Sequence, residues 1–262
     1  MELEVQGKRA YVYTAGHAID AKRPAVFFVH GSEQDHSAWA LQSRYFAYHQ
    51  RNALAPDLPG HGRSAGPPLT SIAALADWVG ALADAAGFRQ FALVGHSMGA
   101  LLALEFAVRY PERLSKLAVL GAAVPMPVSE PLLTAAHADD HSALDMVNVW
   151  SHSPRAQLGG NTAPGMWMLG MNMRLMERQR PGVLYADFKA CNEYAPAAAS
   201  AARIRMPALI ISGSRDRMTP AQPVGEFLAG IAQASTLTLD GTGHALMAEQ
   251  PDAVLDALID FL

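Results

Sequence analysis

"FALVGHSMGA", residues 91–100, sets four apolar residues ahead of a serine fenced by Gly95 and Gly99. At ordinary glycine and serine usage, a Gly-x-Ser-x-Gly arises by chance in roughly one chain in ten of this length, so the surroundings decide its meaning. Phe91 to Val94 read as a short buried strand. Ala100 to Val108 read as a helix with Glu105 its one polar residue, stopped at Tyr110-Pro111. A serine at such a sharp strand-to-helix turn needs a strained backbone, and side chains beside it would collide with strand and helix. The turn would lift the hydroxyl off the sheet and set it at a helix N-terminus, whose partial positive charge favours a developing anion. A lone serine is a poor nucleophile. The reading therefore requires a base, an orienting group and anion-binding amides elsewhere in the chain.

Bulk properties bound the search. The chain has 262 residues, half of them hydrophobic and 17% charged, which suits one large domain with room for an insertion. A net charge of −4 without a long basic run gives nucleic-acid binding no electrostatic support. Cys191 is the single cysteine, so no intramolecular disulfide can form, which fits a reducing compartment. The opening "MELEVQGKRA" has no apolar signal core, and runs such as "AVFFV" fall far short of the roughly 20 residues of a membrane helix. The expectation is a cytoplasmic protein with neither nucleic acid nor membrane as partner.

Strand candidates are Ala10–Thr14, Ala25–Val29, Ala53–Ala55, Phe91–Val94, Leu117–Leu120, Ala208–Ile211 and Thr236–Leu239. Helical stretches alternate with them: Trp39–His49, Ile72–Ala86, Leu101–Val108, Val224–Ile231 and a last segment after Pro251. This alternation predicts an α/β fold, a mostly parallel twisted sheet with helices on both faces. From Val124 to Ser200 no strand signal stands out, while methionine and tryptophan crowd in, as in "GMWMLGMNMRLM" at 165–176. The expected organisation is a core of residues 1–123 and 201–262, interrupted by a mainly helical cap at 124–200.

In such sheets active sites form at the carboxyl ends of strands, and the missing pieces occur there. "ALIISGSRDRMTP" runs from a strand into a loop with Asp216, and "TLTLDGTGHALMAEQP" from the last strand into a loop with His244. The order Ser97, Asp216, His244 suits a strand-turn-helix serine site, with Asp240 a weaker rival for the carboxylate. "AVFFVHGS" puts His30-Gly31-Ser32 at an earlier strand end, so the amides of Ser32 and Met98 are the candidate oxyanion donors. His30 and His96 read as packing and hydrogen-bonding groups. Asp57, Gly60, Gly62 and Ser64 read as loop architecture.

These features together resemble the α/β-hydrolase superfamily with a helical cap, over essentially the whole chain outside the cap. The matching stretches are "HGS" followed by Trp39, "DLPGHGRS" at 57–64, "GHSMG", "GSRDRMTP" and "GTGHALMAEQP". The resemblance implies a triad of Ser97, His244 and Asp216, no metal, no organic cofactor and usually ester hydrolysis of a small molecule. One departure is "SEQDH" at 32–36, where related enzymes often carry glycine or apolar residues. Haloalkane dehalogenases and epoxide hydrolases resemble this fold but use aspartate at the elbow, so Ser97 argues against both.

Other readings stand beside this one. On the same triad, a lactonase, thioesterase, perhydrolase or carbon–carbon hydrolase would use the same groups. A hydrolase-like scaffold kept as a small-molecule sensor is a different class, disfavoured by an intact triad. His137 and His141 in "HADDH" are four apart and could hold zinc, but the glutamate of H-E-x-x-H is missing and no third ligand is indicated. A solvated cap helix is the better reading. Methionine suits pockets that adapt to varied apolar ligands, so Trp150, Trp167 and Met247 are the substrate-pocket candidates.

Overall fold

Strand β3 (Ala25–Val29) is buried at every position because both faces of the sheet around it are covered. Ala25, Phe27 and Val29 enter one apolar cluster, and Val26 and Phe28 enter another on the opposite face. The same alternation holds in β5 (Phe91–His96), whose Phe91 and Leu93 face one side and Ala92 and Val94 the other. This computed structural model describes residues 1–160, 165–220 and 226–262.

The other strands are β1 (Glu2–Val5), β2 (Lys8–Tyr13), β4 (Asn52–Pro56), β6 (Leu114–Leu120), β7 (Ala208–Gly213) and β8 (Ala234–Leu239). They form one sheet in the order β1-β2-β4-β3-β5-β6-β7-β8. β1 and β2 are antiparallel to their neighbours, and every pairing from β4 to β8 is parallel. Strand β1 lies outside the strands expected from sequence. Its Gln6-Gly7 turn has φ of 52° and 74°, the double positive φ of a tight hairpin, and it pairs Val5 with Lys8.

Helices α1 (Ala40–Tyr48), α2 (Ile72–Ala85) and α3 (Met98–Arg109) follow β3, β4 and β5 in turn. Five more, α4 (Glu130–His137), α5 (His141–Ser151), α6 (Pro154–Gln157), α7 (Met168–Glu177) and α8 (Val183–Glu193), lie between β6 and β7. The chain ends through α9 (Glu226–Ala229), α10 (Leu246–Glu249) and α11 (Pro251–Phe261). Of the helix expected at Val224–Ile231, Glu226–Ala229 is observed, and Val224 lies outside the described residues. In α11, Val254 and Leu258 are fully buried while Asp252, Asp256 and Asp260 face solvent, so a 3.6-residue period seats one stripe on the sheet. Helices α2 and α3 cover one face, and α1 and α11 the other. Leu132, Val147, Met176, Leu184 and Phe188 give the helices between β6 and β7 a small core of their own. Among the described residues no helix is long and apolar enough to cross a membrane.

The chain runs outward from β3 to β4, then returns to the other side of β3 to lay down β5. Connections leave the sheet in opposite directions at that point, opening a crevice at the carboxyl ends of β3 and β5. Val29 pairs with Gly95 across it, so Gly31-Ser32 and Ser97 follow on adjacent strands.

Candidate active site

Ser97 has φ 56° and ψ −119°, a conformation that L residues rarely adopt, directly before α3. Strand and helix are crowded together there. A Cβ on Gly95 would stand 2.1 Å from the Gly99 carbonyl oxygen, and one on Gly99 would stand 2.5 Å from those of Val29 and His30. The glycines are therefore steric requirements of the turn. Ser97 N–H donates to the Leu120 carbonyl at 2.9 Å, which ties the strained residue to the end of β6.

Asp216 and His244 come from the loops after β7 and β8 and meet at 2.8 Å, Oδ2 to Nδ1. The Thr219 hydroxyl donates to the same Oδ2 at 2.7 Å and lies 3.2 Å from His244 Nδ1. Asp216 Oδ1 accepts the backbone N–H groups of Met218 and Thr219, each at 2.8 Å. Burial opposes a charge on Asp216, but His244 and these donors outweigh it and hold the carboxyl below its ordinary range. Asp240 is exposed and accepts from Ser214, so Asp216 carries the contact to His244. No hydrogen bond joins Ser97 to His244 among the described residues, a looseness common in unliganded sites; both line one cavity.

Two supports of His244 escaped the sequence reading. Thr219 sits three residues beyond Asp216, the spacing at which an aspartate caps a turn. Glu249, buried in α10, accepts Gly243 N–H and Ser153 N–H, each at 3.1 Å, and binds the loop before His244 to the start of α6.

At the end of β3, His30 Nδ1 donates to the Gly31 carbonyl at 2.8 Å, while Nε2 accepts Leu58 N–H at 3.0 Å. Burial, and then His61 nearby, lower its pKa to about 4, so it is a neutral brace between two loops. Gly31 N–H is engaged by Gln34 Oε1 at 3.2 Å. The N–H groups of Ser32 and Met98 donate to no protein acceptor among the described residues. Asp57 accepts from His36 N–H and Nδ1 and from Arg63 N–H, at 2.8, 2.7 and 2.8 Å, as loop architecture requires. Asp35, His36 and Asp57 lie close enough to share a cation. Their oxygens are already committed, since Asp35 also receives Ser37 N–H at 2.8 Å and Arg178 at 2.7 Å. A metal would have to displace those donors. His137 ends α4 and His141 begins α5, so they share no helix face; His141 pairs with Glu177 at 3.0 Å.

Two cavities share Ser32, Ser97, Phe188 and Met218. The smaller, about 30 Å³, is bordered by His96, His244, Gln34, Asn172 and Met176. The larger, about 140 Å³, is bordered by Met126, Val128, Leu132, Trp150, Cys191 and Arg217. Of the pocket candidates, Trp150 lines the larger cavity. Trp167 is 72% exposed and Met247 is buried in the cluster with Phe28 and Trp39; neither borders these cavities. Met247 points into the sheet because α10 packs there, and Trp167 precedes α7 with its ring over Gly170.

The model of the alpha/beta hydrolase family matches residues 26–257. The chain is 28% identical to the 2-hydroxy-6-oxo-2,4-heptadienoate hydrolase of Pseudomonas putida, over 94% of this chain and 91% of that one. It is 27% identical to an epoxide hydrolase of Caballeronia sordidicola, over 91% and 87% of the two chains. The crystal structure of the enol-lactonase from Burkholderia xenovorans LB400 superposes with a TM-score of 0.87 at 23% identity, covering 100% of this chain and 99% of that one. With the elbow, the strand order and a family match over most of its length, the chain belongs to the alpha/beta hydrolase family.

Proposed function

We propose that this hydrolase cleaves carboxylic esters of small to medium apolar compounds through a Ser97 acyl-enzyme. The observation that carries the reading is the strained Ser97, bordering the same cavity as His244, whose Nδ1 is held by Asp216. His244 Nε2 takes the hydroxyl proton as Ser97 attacks the carbonyl carbon, then returns it to the leaving alcohol. Asp216 fixes the tautomer with hydrogen on Nδ1 and stabilises the imidazolium. The free amides of Ser32 and Met98 receive the oxyanion, each worth about 3 kcal/mol in comparable sites. Water, activated by His244, attacks the acyl-enzyme and releases the acid.

The cavities divide the substrate. The leaving alcohol must reach His244 for its proton, and His244 borders only the smaller cavity of the two. The acyl chain therefore takes the larger. At about 140 Å³ it approaches the size of an apolar cavity known to hold benzene, room for about six carbons.

A fluorophosphonate should add its mass to the peptide containing Ser97, and Ser97→Ala should lower kcat by about 10⁴ to 10⁶ without unfolding the protein. A panel of p-nitrophenyl esters, lactones, thioesters and a β-diketone identifies the preferred bond. An unlabelled, fully active wild type would overturn the reading.

A further inference from the structure

Behind the Ser32 turn lies a buried set of charged groups that the proposed chemistry does not use. Glu33, Asp187 and His61 are 6%, 1% and 0% exposed. They come from three parts of the chain: the turn after β3, helix α8 and the loop after β4. Asp187 Oδ2 accepts both the backbone N–H of Glu33 and His61 Nε2–H, each at 2.9 Å. His61 Nδ1 faces the Pro59 carbonyl at 3.1 Å. A carbonyl and a carboxylate both accept, so both ring nitrogens must donate and His61 is an imidazolium. Burial alone would discharge it, and Asp187 reverses that, raising its pKa. Glu33 is held at φ 56° beside the pair. One oxygen of Glu33 and one of Asp187 are buried without a partner.

We propose that Asp187 is a positioning residue for the oxyanion turn, reaching from α8 to fix the Ser32–Glu33 backbone, and that the clamp holds only while the Glu33 carboxyl keeps its proton. The proposal rests on the reading that Ser32 N–H receives the oxyanion. The amide that Asp187 holds belongs to the next residue, so a shift there moves the donor itself. A charge of −1 on Asp187 is balanced by His61, and a second carboxylate in the same buried space has no partner. Around Glu33 stand Asp187, His61 and Asp139, and the cavity on its outer side is bordered by Asp140, His141, Glu177 and Arg180. Burial, then Asp187, push the Glu33 pKa up to about 8. Losing that proton sets two anions against each other beside the bond by which Asp187 holds the Glu33 N–H. Cys191, also buried beside Asp187, has its thiol pushed up by burial and adds no titration in this range.

The experiment measures kcat and KM from pH 6 to 10 for wild type, Asp187→Ala, Asp187→Asn and Glu33→Gln, with unfolding temperatures on the same samples. Asp187→Ala should lose at least about tenfold in kcat, near the worth of a buried charged hydrogen bond, with KM within threefold. Asp187→Asn, which keeps an acceptor for the Glu33 N–H but removes the charge that holds His61 protonated, should recover part of that loss. Wild-type kcat should fall with an ionisation near pH 8 that Glu33→Gln lacks. Between about pH 4.5 and 8 the folded chain keeps a proton that the unfolded chain releases, so wild type should lose several degrees of unfolding temperature relative to Glu33→Gln as pH rises. If Asp187→Ala does not fold, the other two variants decide. An alkaline limb shared by wild type and Glu33→Gln, or a folded Asp187→Ala with wild-type kcat, overturns the clamp. A wild type that neither turns over nor labels at Ser97 removes the hydrolase reading instead, and the unfolding temperatures then decide the clamp alone.

Discussion

His96 donates its Nε2–H to the carbonyl oxygen of His244 at 2.9 Å, with the two rings 4.7 Å apart. That bond fixes the His96 tautomer and leaves Nδ1 as a bare, buried acceptor. Burial, and next the neighbouring His244, lower its pKa to about 3.

The consequence is a stability that weakens in acid. An unfolded chain protonates each histidine near pH 6.5, whereas His96 and His30 stay neutral in the fold down to about 3 and 4. Each therefore favours unfolding by about 1.4 kcal/mol for every pH unit below 6.5. His61 adds little in this range, because with a raised pKa its gain is already in place below pH 6.5. Glu33, protonated in the fold up to about 8, returns stability as pH falls toward 4.5. The two histidines together cost about 4 to 5 kcal/mol between pH 6.5 and 4.5, and Glu33 returns about half of that. Urea unfolding should therefore lose about 2 to 3 kcal/mol. A flat stability curve over that range would show that these histidines are not held neutral.

Asp216 should matter far more than the threonine beside it. Asp216→Asn can present an N–H to His244 Nδ1 and so favour the wrong tautomer, costing on the order of 10⁴ in kcat. Thr219→Val removes one donor from Oδ2 while two backbone N–H groups still hold Oδ1, so about tenfold is expected. Steady-state rates on a p-nitrophenyl ester separate the two. Near-normal turnover in Asp216→Asn would take the orienting role away from it.

Gly95→Ala tests the crowding at the elbow. Its Cβ would lie 2.1 Å from a backbone oxygen of Gly99, which cannot rotate away. The fold should lose at least about 3 kcal/mol. Gly80→Ala in α2 is the contrast, since its Cβ would meet only Phe106 Cε2 at 3.4 Å. That change should be neutral or stabilising by up to about 1 kcal/mol, through helix propensity. Equal unfolding free energies for the two variants would refute the steric account.

Much of this was legible because strand-end chemistry leaves local marks. Gly95, Ser97 and Gly99 could be read from one turn, since the turn alone dictates which side chains fit. Asp216 and His244 were legible as the polar residues following two apolar strands. Asp187 was not. It lies in a helix whose period shows only that one face is buried, and its partners are 126 and 154 residues away in sequence. Trp167 and Met247 mark the same boundary. Composition placed them near the pocket, but the packing of each helix and of the turn leading into it decides which large side chain faces a cavity. Strand β1 was hidden for a different reason, its alternating Glu2 and Glu4 giving an edge strand little apolar signal.

The two tryptophans now separate in their expected effects. Trp150 borders the cavity assigned to the acyl chain, and Trp167 is 72% exposed outside it. Each methylene that finds apolar contact contributes about 0.8 kcal/mol, so kcat/KM should rise by up to about fourfold per carbon until the cavity is full. For wild type that limit falls at about six carbons, the size of ligand a cavity of this volume holds. Trp150→Ala removes a large wall, so the optimum in a p-nitrophenyl ester series should move to longer chains while short esters lose rate. Trp167→Ala should leave the ratio of short to long esters as in wild type. A general loss of stability would depress every ester together and leave the optimum in place. If Trp150→Ala keeps the wild-type optimum, the acyl chain does not occupy the larger cavity, and the division of the substrate between the two cavities is wrong.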